Sequence, residues 1–296
     1  MLRRCGWFIA VNSAFLLMIA LLVAVLHLGP VLAHNGIPWD RLLGFSALLG
    51  FGGALLSLLL SRWTAQRMTH ARIIAKVTND EERWLLTTTA RLAHAADIGM
   101  PDVAIFESDS PNAFATGAHR DHALIAVSSG LIRTFTRDEA EAVLAHEITH
   151  VANGDMVSLA LLTGVLNTFV FFLAWVLGYA VDRLILNGRG RGFVYVGAVL
   201  VTQLILGPVA MALVMAYSRR REFRADAGGA QLTHARQMVG ALQRLQTAPV
   251  VLPEGLQAFS IAGGRVGRFF ESHPPIETRI AALQVRPEGR VEPYFS

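Results

Sequence analysis

His146-Glu147-Ile148-Thr149-His150 has the spacing H-E-x-x-H. An α-helix turns once in 3.6 residues, so positions four apart share a face. His146 and His150 can therefore grip one metal ion, and Glu147 stands beside them to move a proton. These residue types suit metal-assisted hydrolysis, which needs ligands that leave a position open for water and a base to activate it. A third ligand must come from elsewhere. The other histidines are His27, His34, His70, His94, His119, His122, His234 and His273, and none continues the helical spacing of the first pair. The residue five after His150 is Asp155. A carboxylate third ligand is therefore expected, and the segment Ser218-Arg219-Arg220-Arg221-Glu222-Phe223-Arg224-Ala225-Asp226 offers one. Glu222 is the candidate ligand. Asp226, four residues on, can hold the free ring nitrogen of a ligand histidine and fix its tautomer. The same segment also reads as a solvated charged face at the end of an apolar run. The single cysteine, Cys5, excludes a disulfide or a cysteine-based zinc site within one chain and fits a reducing cytoplasmic face.

The elements that must position these groups have local signals. Thr136-Arg137-Asp138-Glu139 is a capping box that opens a helix from Arg137 to about Asn153, with Asn153-Gly154 as its stop. Ala140, Val143, Leu144 and Ile148 give that helix an apolar stripe. A second helix is expected from Asn79 to Ile98, capped by Asn79 or Asp80 and stopped at Gly99. Val103 to Phe106 and Ala123 to Val127 read as strands around a polar turn, a hairpin or small antiparallel sheet. Asn112 to Gly117 is the candidate edge strand, where an extended peptide can pair by main-chain hydrogen bonds. Asn112 and Ala115 are candidates for contacts to a substrate backbone. His273-Pro274-Pro275 precedes a last helix, Ile276 to about Leu283, and also reads as a rigid turn. His119 and His122 sit in a polar turn and read as surface groups.

The chain as a whole is too apolar for an ordinary soluble domain. Of its 296 residues 53% are hydrophobic and 16% charged, against roughly 25% charged in soluble proteins. Four runs, about Trp7 to Leu28, Leu42 to Leu60, Met156 to Val181 and Phe193 to Tyr217, lack Lys, Arg, Asp and Glu. Each is near the roughly 20 residues that cross a bilayer. Arg3 and Arg4 precede the first run, Arg62, Arg67, Arg72 and Lys76 follow the second, and Arg219 to Arg221 follow the fourth. Positive residues favour the cytoplasmic side, so the H-E-x-x-H helix is expected there. The loop between the third and fourth runs carries Asp182, Arg183, Arg189 and Arg191, a positive excess against that bias, so this hairpin either crosses against it or does not fully cross. The net charge of +4 comes from residues next to these runs, where they meet anionic lipid; no nucleic-acid partner is expected. The expected organisation is two transmembrane helices over 1–61, the first part of a cytoplasmic catalytic domain over 62–155, a hydrophobic hairpin over 156–217, and the rest of the catalytic domain over 218–296.

The chain resembles the HtpX-type membrane zinc metalloproteases, relatives of the CAAX prenyl protease I family. The matching pieces are Asn112-Ala-Phe-Ala-Thr-Gly117, His146-Glu-Ile-Thr-His150, Asn153-Gly-Asp-Met156, Ser218-Arg219 through Glu222 to Ala225-Asp226, and His273-Pro-Pro275, in the same order after two N-terminal spans. The resemblance implies a fold that is mainly α with a small β-sheet: multi-span membrane helices plus a gluzincin-type zinc metallopeptidase domain. It implies one Zn2+ per chain, held by His146, His150 and Glu222, with Glu147 as catalytic base. His273 and Arg279 are implied as donors to the oxyanion. The implied setting is a bacterial inner membrane, with membrane or misfolded proteins cut from the cytoplasmic side in quality control under stress.

Overall fold

The computed structural model describes residues 38–185, 192–247 and 273–284, with Leu17, Ala33 and His34 besides. The first expected span, about Trp7 to Leu28, lies outside the described residues but for Leu17. Two compact units form: Met1–Ser57 with Ser158–Val214, and Leu58–Val157 with Met215–Ser296.

The first unit takes its shape from apolar helices. Helix α1 (Trp39–Thr69), α5 (Asp155–Ala180, continued by a π-helical turn at Val181–Ile185) and α6 (Phe193–Leu232) are each long and apolar enough to cross a membrane. At 1.5 Å per residue the shortest of them, α5, is about 39 Å long against roughly 30 Å of hydrocarbon. Leu48, Leu56, Leu204 and Ile205 stand exposed on them, an arrangement that suits lipid rather than water as the surrounding solvent. Small residues allow close helix approach: any side chain on Gly50 would collide with Thr168, and on Gly164 with Phe51.

The second unit holds a four-stranded sheet in the order β1-β2-β4-β3. Its strands are β1 (Arg72–Ile73), β2 (Asp102–Phe106), β3 (Ala113–Thr116) and β4 (Leu124–Ser128). The expected antiparallel pairing of Val103–Phe106 with Ala123–Val127 is overturned. β2 and β4 run parallel, from Asp102 opposite Leu124 to Phe106 opposite Ser128. The reason is that 107–122 is more than a turn. It contains β3, which pairs antiparallel with β4 from Ala113 opposite Val127 to Thr116 opposite Leu124. The polar turn therefore joins β3 to β4, and β3 is the edge of the sheet. β4, buried at all five positions, is its centre.

Helix α2 (Asp80–Ala95) is capped by the Asn79 side chain, which accepts from the Glu82 N–H. It ends earlier than expected, at Ala95, and the chain then turns through Asp97 at φ 52°. A short α3 (Ser129–Thr134) leads to α4 (Arg137–Asn153), and α7 (Ala235–Thr247) and α8 (Ile276–Gln284) follow among the described residues. The core joins Leu85 and Leu92 of α2, Val103, Ile125 and Val127 of the sheet, and Leu144 and Ile148 of α4.

Candidate metal centre

Both caps of α4 form as its sequence dictates. The Thr136 hydroxyl accepts from the Glu139 N–H while the Glu139 carboxylate accepts from the Thr136 N–H. Such a cap contributes about 1 kcal/mol. At the other end Gly154 takes the left-handed conformation, φ 68°, that a side chain would oppose. Between the caps Ala142, Leu144, Ala145, Ile148 and Thr149 are buried. His146 and His150 therefore share one face, turned towards α6.

That approach is close because α6 carries Gly228 and Gly229 where it passes α4. A side chain on Gly228 would collide with the fully buried Thr149, and one on Gly229 would press on the backbone of His146. One and two turns earlier on α6 are Asp226 and Glu222, both buried.

The two histidines and Glu222 converge. Nε2 of His146 and Nε2 of His150 are 3.1 Å apart. Glu222 places Oε1 3.3 Å from His150 Nε2 and Oε2 3.6 Å from His146 Nε2. Two ligands about 2.0–2.1 Å from one tetrahedral ion stand about 3.3 Å apart, so the three groups have the spacing of a shared cation. Each outer ring nitrogen faces a carboxylate. Asp155 Oδ2 is 2.7 Å from His150 Nδ1, and Asp226 Oδ1 is 3.0 Å from His146 Nδ1. The second approach falls short of hydrogen-bond alignment, because His146 Nδ1 has no hydrogen-bond partner; the carboxylate orients that ring by charge.

The electrostatics favour a cation. Burial works against a charged ring at His146, yet Asp226 and Glu222 outweigh it and hold its pKa at about 10. Burial likewise opposes a charge on His150, but Asp155 and Glu222 raise it. Burial would push Glu222 up, and the three histidines around it hold it well below the usual carboxylate range instead. The same field that attracts protons to these imidazoles attracts a metal ion.

Glu147 is half-buried and lines a cavity that opens beside His146. His273 is largely exposed, with Nδ1 2.7 Å from Glu222 Oε2. Arg279 is buried, and its Nε and Nη2 donate to the two Asp226 oxygens at 2.7 and 2.6 Å. Its Nη1 lies 3.4 Å from Glu222 Oε2. The expected oxyanion donor is thus mainly the clamp that holds Asp226. Asn112 is exposed on the same cavity, with its backbone N–H and carbonyl both used by Ser128. Ala115 is half-buried in β3, opposite Ile125. Helical spacing does not point to Asp155 for this role; its signal in the sequence is an acid directly after the helix-ending glycine. Arg221 supports it, donating from Nη1 to the Asp155 carbonyl at 2.6 Å. His119 and His122 lie in the β3–β4 turn, 5.5 Å apart between ring centres, and take no part.

A model of peptidase family M48 matches residues 79–286. The chain belongs to this family. M48 relatives match it almost end to end. It is 50% identical over 291 residues to the protease HtpX homolog of Nitrosomonas europaea, covering 96% of this chain and 99% of that one. It is 49% identical over 289 residues to protease HtpX of Stenotrophomonas maltophilia, covering 96% and 98%. Among solved structures, S. mikatae Ste24p superposes with a TM-score of 0.59 at 18% identity, over 90% of this chain and 66% of that longer one, a likeness of fold. With three apolar helices of spanning length and the His146, His150 and Glu222 cluster, the M48 chain is a bacterial membrane metalloprotease.

Proposed function

We propose that the chain is a zinc endopeptidase that cuts misfolded or membrane proteins at the cytoplasmic face of the inner membrane. The observation that carries this reading is the convergence of two imidazoles and one carboxylate at ligand spacing, with Glu147 next in sequence on the wall of an open cavity. Two nitrogens and one carboxylate oxygen form the donor set of catalytic zinc sites, which keep a fourth position for water. Zinc held there supplies Lewis acidity, lowering the pKa of water from near 16 towards about 7.

The chain's own residues do the rest. Glu147 takes the proton from the attacking water and passes it to the leaving amine. His273, at the mouth of the cavity, donates to the developing oxyanion. Arg279 holds Asp226, which holds the ring of His146. The free side of β3 offers main-chain groups to an extended peptide, and Asn112 adds its side-chain amide at the start of that strand. An unfolded segment fits such an edge and a folded one does not. The basic residues flanking the apolar runs support the cytoplasmic orientation.

The test uses the purified full chain on casein and on a model membrane protein, wild type against Glu147→Ala, each with and without zinc. Cleavage is expected only from zinc-loaded wild type, with Glu147→Ala lowered at least 100-fold and its bound zinc retained. Equal cleavage by both proteins overturns the assignment of Glu147. Wild type that binds zinc and cleaves nothing overturns the peptidase reading.

A further inference from the structure

The chain that leads into β3 is tied down by one buried hydroxyl. Ser128, the last residue of β4, is fully buried and also caps α3, where its Oγ accepts from the Leu131 N–H at 3.1 Å. A cap needs no more than that bond. The same oxygen accepts from the Asn112 N–H at 2.8 Å and donates to the Ser110 carbonyl at 3.0 Å. A serine hydroxyl has one proton and two lone pairs, so its bonding capacity is fully used. Two of the three bonds serve the approach to β3 and not the helix.

The contact also closes the rung just ahead of β3. The Ser128 N–H donates to the Asn112 carbonyl at 2.9 Å. In an antiparallel pair the return bond would run from the Asn112 N–H to the Ser128 carbonyl. An N-cap carbonyl accepts the first bond of its helix, and here the hydroxyl takes the return bond instead. The next two residues bind the chain further upstream. Ser129 Oγ accepts from the Ser108 N–H at 3.2 Å, and the Gly130 N–H donates to the Ser108 carbonyl at 2.8 Å. A side chain on Gly130 would collide with the Asp109 carbonyl. The approach to β3 therefore lies against the first turn of α3.

We propose that Ser128 is a positioning residue for the substrate: it sets the leading end of β3 so that an extended peptide pairs there with its scissile bond at Glu147. The inference rests on the peptidase reading above. Asn112 and Ala113 line the same cavity as Glu147, so the leading end of β3 stands beside the reacting centre. Asn112 gives both main-chain groups to Ser128, and hydrogen-bonded positions alternate along an antiparallel strand. Ala113 and Ala115 therefore turn theirs to the free side. From Ala113 to Thr116 the strand is held by its own pairing with β4, but its leading end depends on Ser128. Without the hydroxyl, the Asn112 and Leu131 N–H groups lose their acceptor and that end is released from the sheet. A substrate would still reach the metal centre, but along a less ordered edge.

The experiment measures kcat and KM of the full-length, zinc-loaded protein on two quenched peptides with the same residues at the cut. One is long enough to run the length of β3, and the other is too short to do so. Pairing along an edge is made alike in the ground state and the transition state, so its loss raises KM and leaves kcat. Ser128→Ala should raise KM for the long peptide by about 10-fold, the scale of one or two hydrogen bonds. Its kcat, its zinc content and its KM for the short peptide should stay at wild type. Ser128→Cys fills the same space and accepts only weakly; it keeps the question answerable if Ser128→Ala does not fold, and should raise the same KM. Asn79→Ala removes a cap of the same kind from α2, so it controls for lost stability and should leave both KM values unchanged. An unchanged KM for the long peptide in a folded Ser128 variant, an equal loss on the two peptides, or the same rise in Asn79→Ala overturns the proposal with the peptidase reading intact. Failure of wild type to cut any peptide, casein included, overturns both.

Discussion

Each of the two candidate ligand histidines faces a different acid, and the two acids reach the site differently. Asp226 shares a helix face with Glu222, so its place followed from the sequence spacing. Asp155 lies beyond the end of α4, where the left-handed turn at Gly154 brings it back to His150. Helical periodicity stops at such a turn, so spacing alone does not reveal the residue, although it stands five positions from His150. Its carboxylate, 2.7 Å from Nδ1, leaves Nε2 to face the shared ligand position. Removing such a partner typically weakens metal binding 10–100-fold. Asp155→Ala should therefore raise the zinc dissociation constant by about that factor, measured by competition with a chromogenic chelator. Asp155→Asn, whose Oδ1 can accept the same proton, should recover part of the loss. Unchanged affinity in Asp155→Ala, or no recovery in Asp155→Asn, would show that the contact does not orient the ring. Glu222→Gln should be more severe, since it removes a ligand charge, and zinc content near one per chain in that variant would mean the third ligand was misassigned.

Among the elements, those fixed by local chemistry were legible and those fixed by pairing at a distance were not. The caps of α4 are written in four residues at one end and a glycine at the other. The edge strand was legible at Asn112 to Gly117, but its four half-buried residues carry no alternation that says which neighbour it pairs with, so the parallel pairing of β2 with β4 was not. β1, two residues long, has no periodic signal at all. It is held instead by a buried carboxylate. Glu82 of α2 accepts from Arg72 Nη2 at 2.6 Å and from both the N–H and the hydroxyl of Thr78 at 2.7 Å. The Thr78 hydroxyl first, then Arg72 and the Thr78 N–H, lower its pKa from 4.5 to about 2. The folded state therefore binds fewer protons than the unfolded chain between those values, so stability from this group is full above about pH 4.5 and is lost as pH falls towards 2. Glu82→Gln should melt below wild type at pH 7, and the gap should narrow steadily between pH 5 and pH 2.5 in detergent-solubilised protein. A gap independent of pH would mean that Glu82 acts by shape and not by charge.

At the scale of the whole molecule, hydropathy located the apolar helices more surely than charge located their ends. The basic residues between the third and fourth runs oppose the orientation that every other basic cluster favours. Connectivity bears on this conflict. The second unit is assembled from two chain segments, leaving at Val157 and resuming at Met215. A chain that leaves and returns to one compact body must cross the bilayer an even number of times in between. Helices α5 and α6 are each longer than the hydrocarbon is thick, so two full crossings satisfy the requirement. The cost of carrying Arg183, Arg189 and Arg191 to the far side is set against two strongly apolar segments, each long and apolar enough to cross a membrane. Orientation by positive charge is a bias and not a bar, and the clusters at the other span ends outnumber this loop's three arginines. The single cysteine makes this measurable. In a Cys5→Ser background, Asn187→Cys should react with a membrane-impermeant maleimide from the periplasmic side of intact spheroplasts. Thr278→Cys, exposed on α8 of the second unit, should react only after the membrane is opened. Labelling of both positions from the same side would mean that the hairpin enters the bilayer without crossing it.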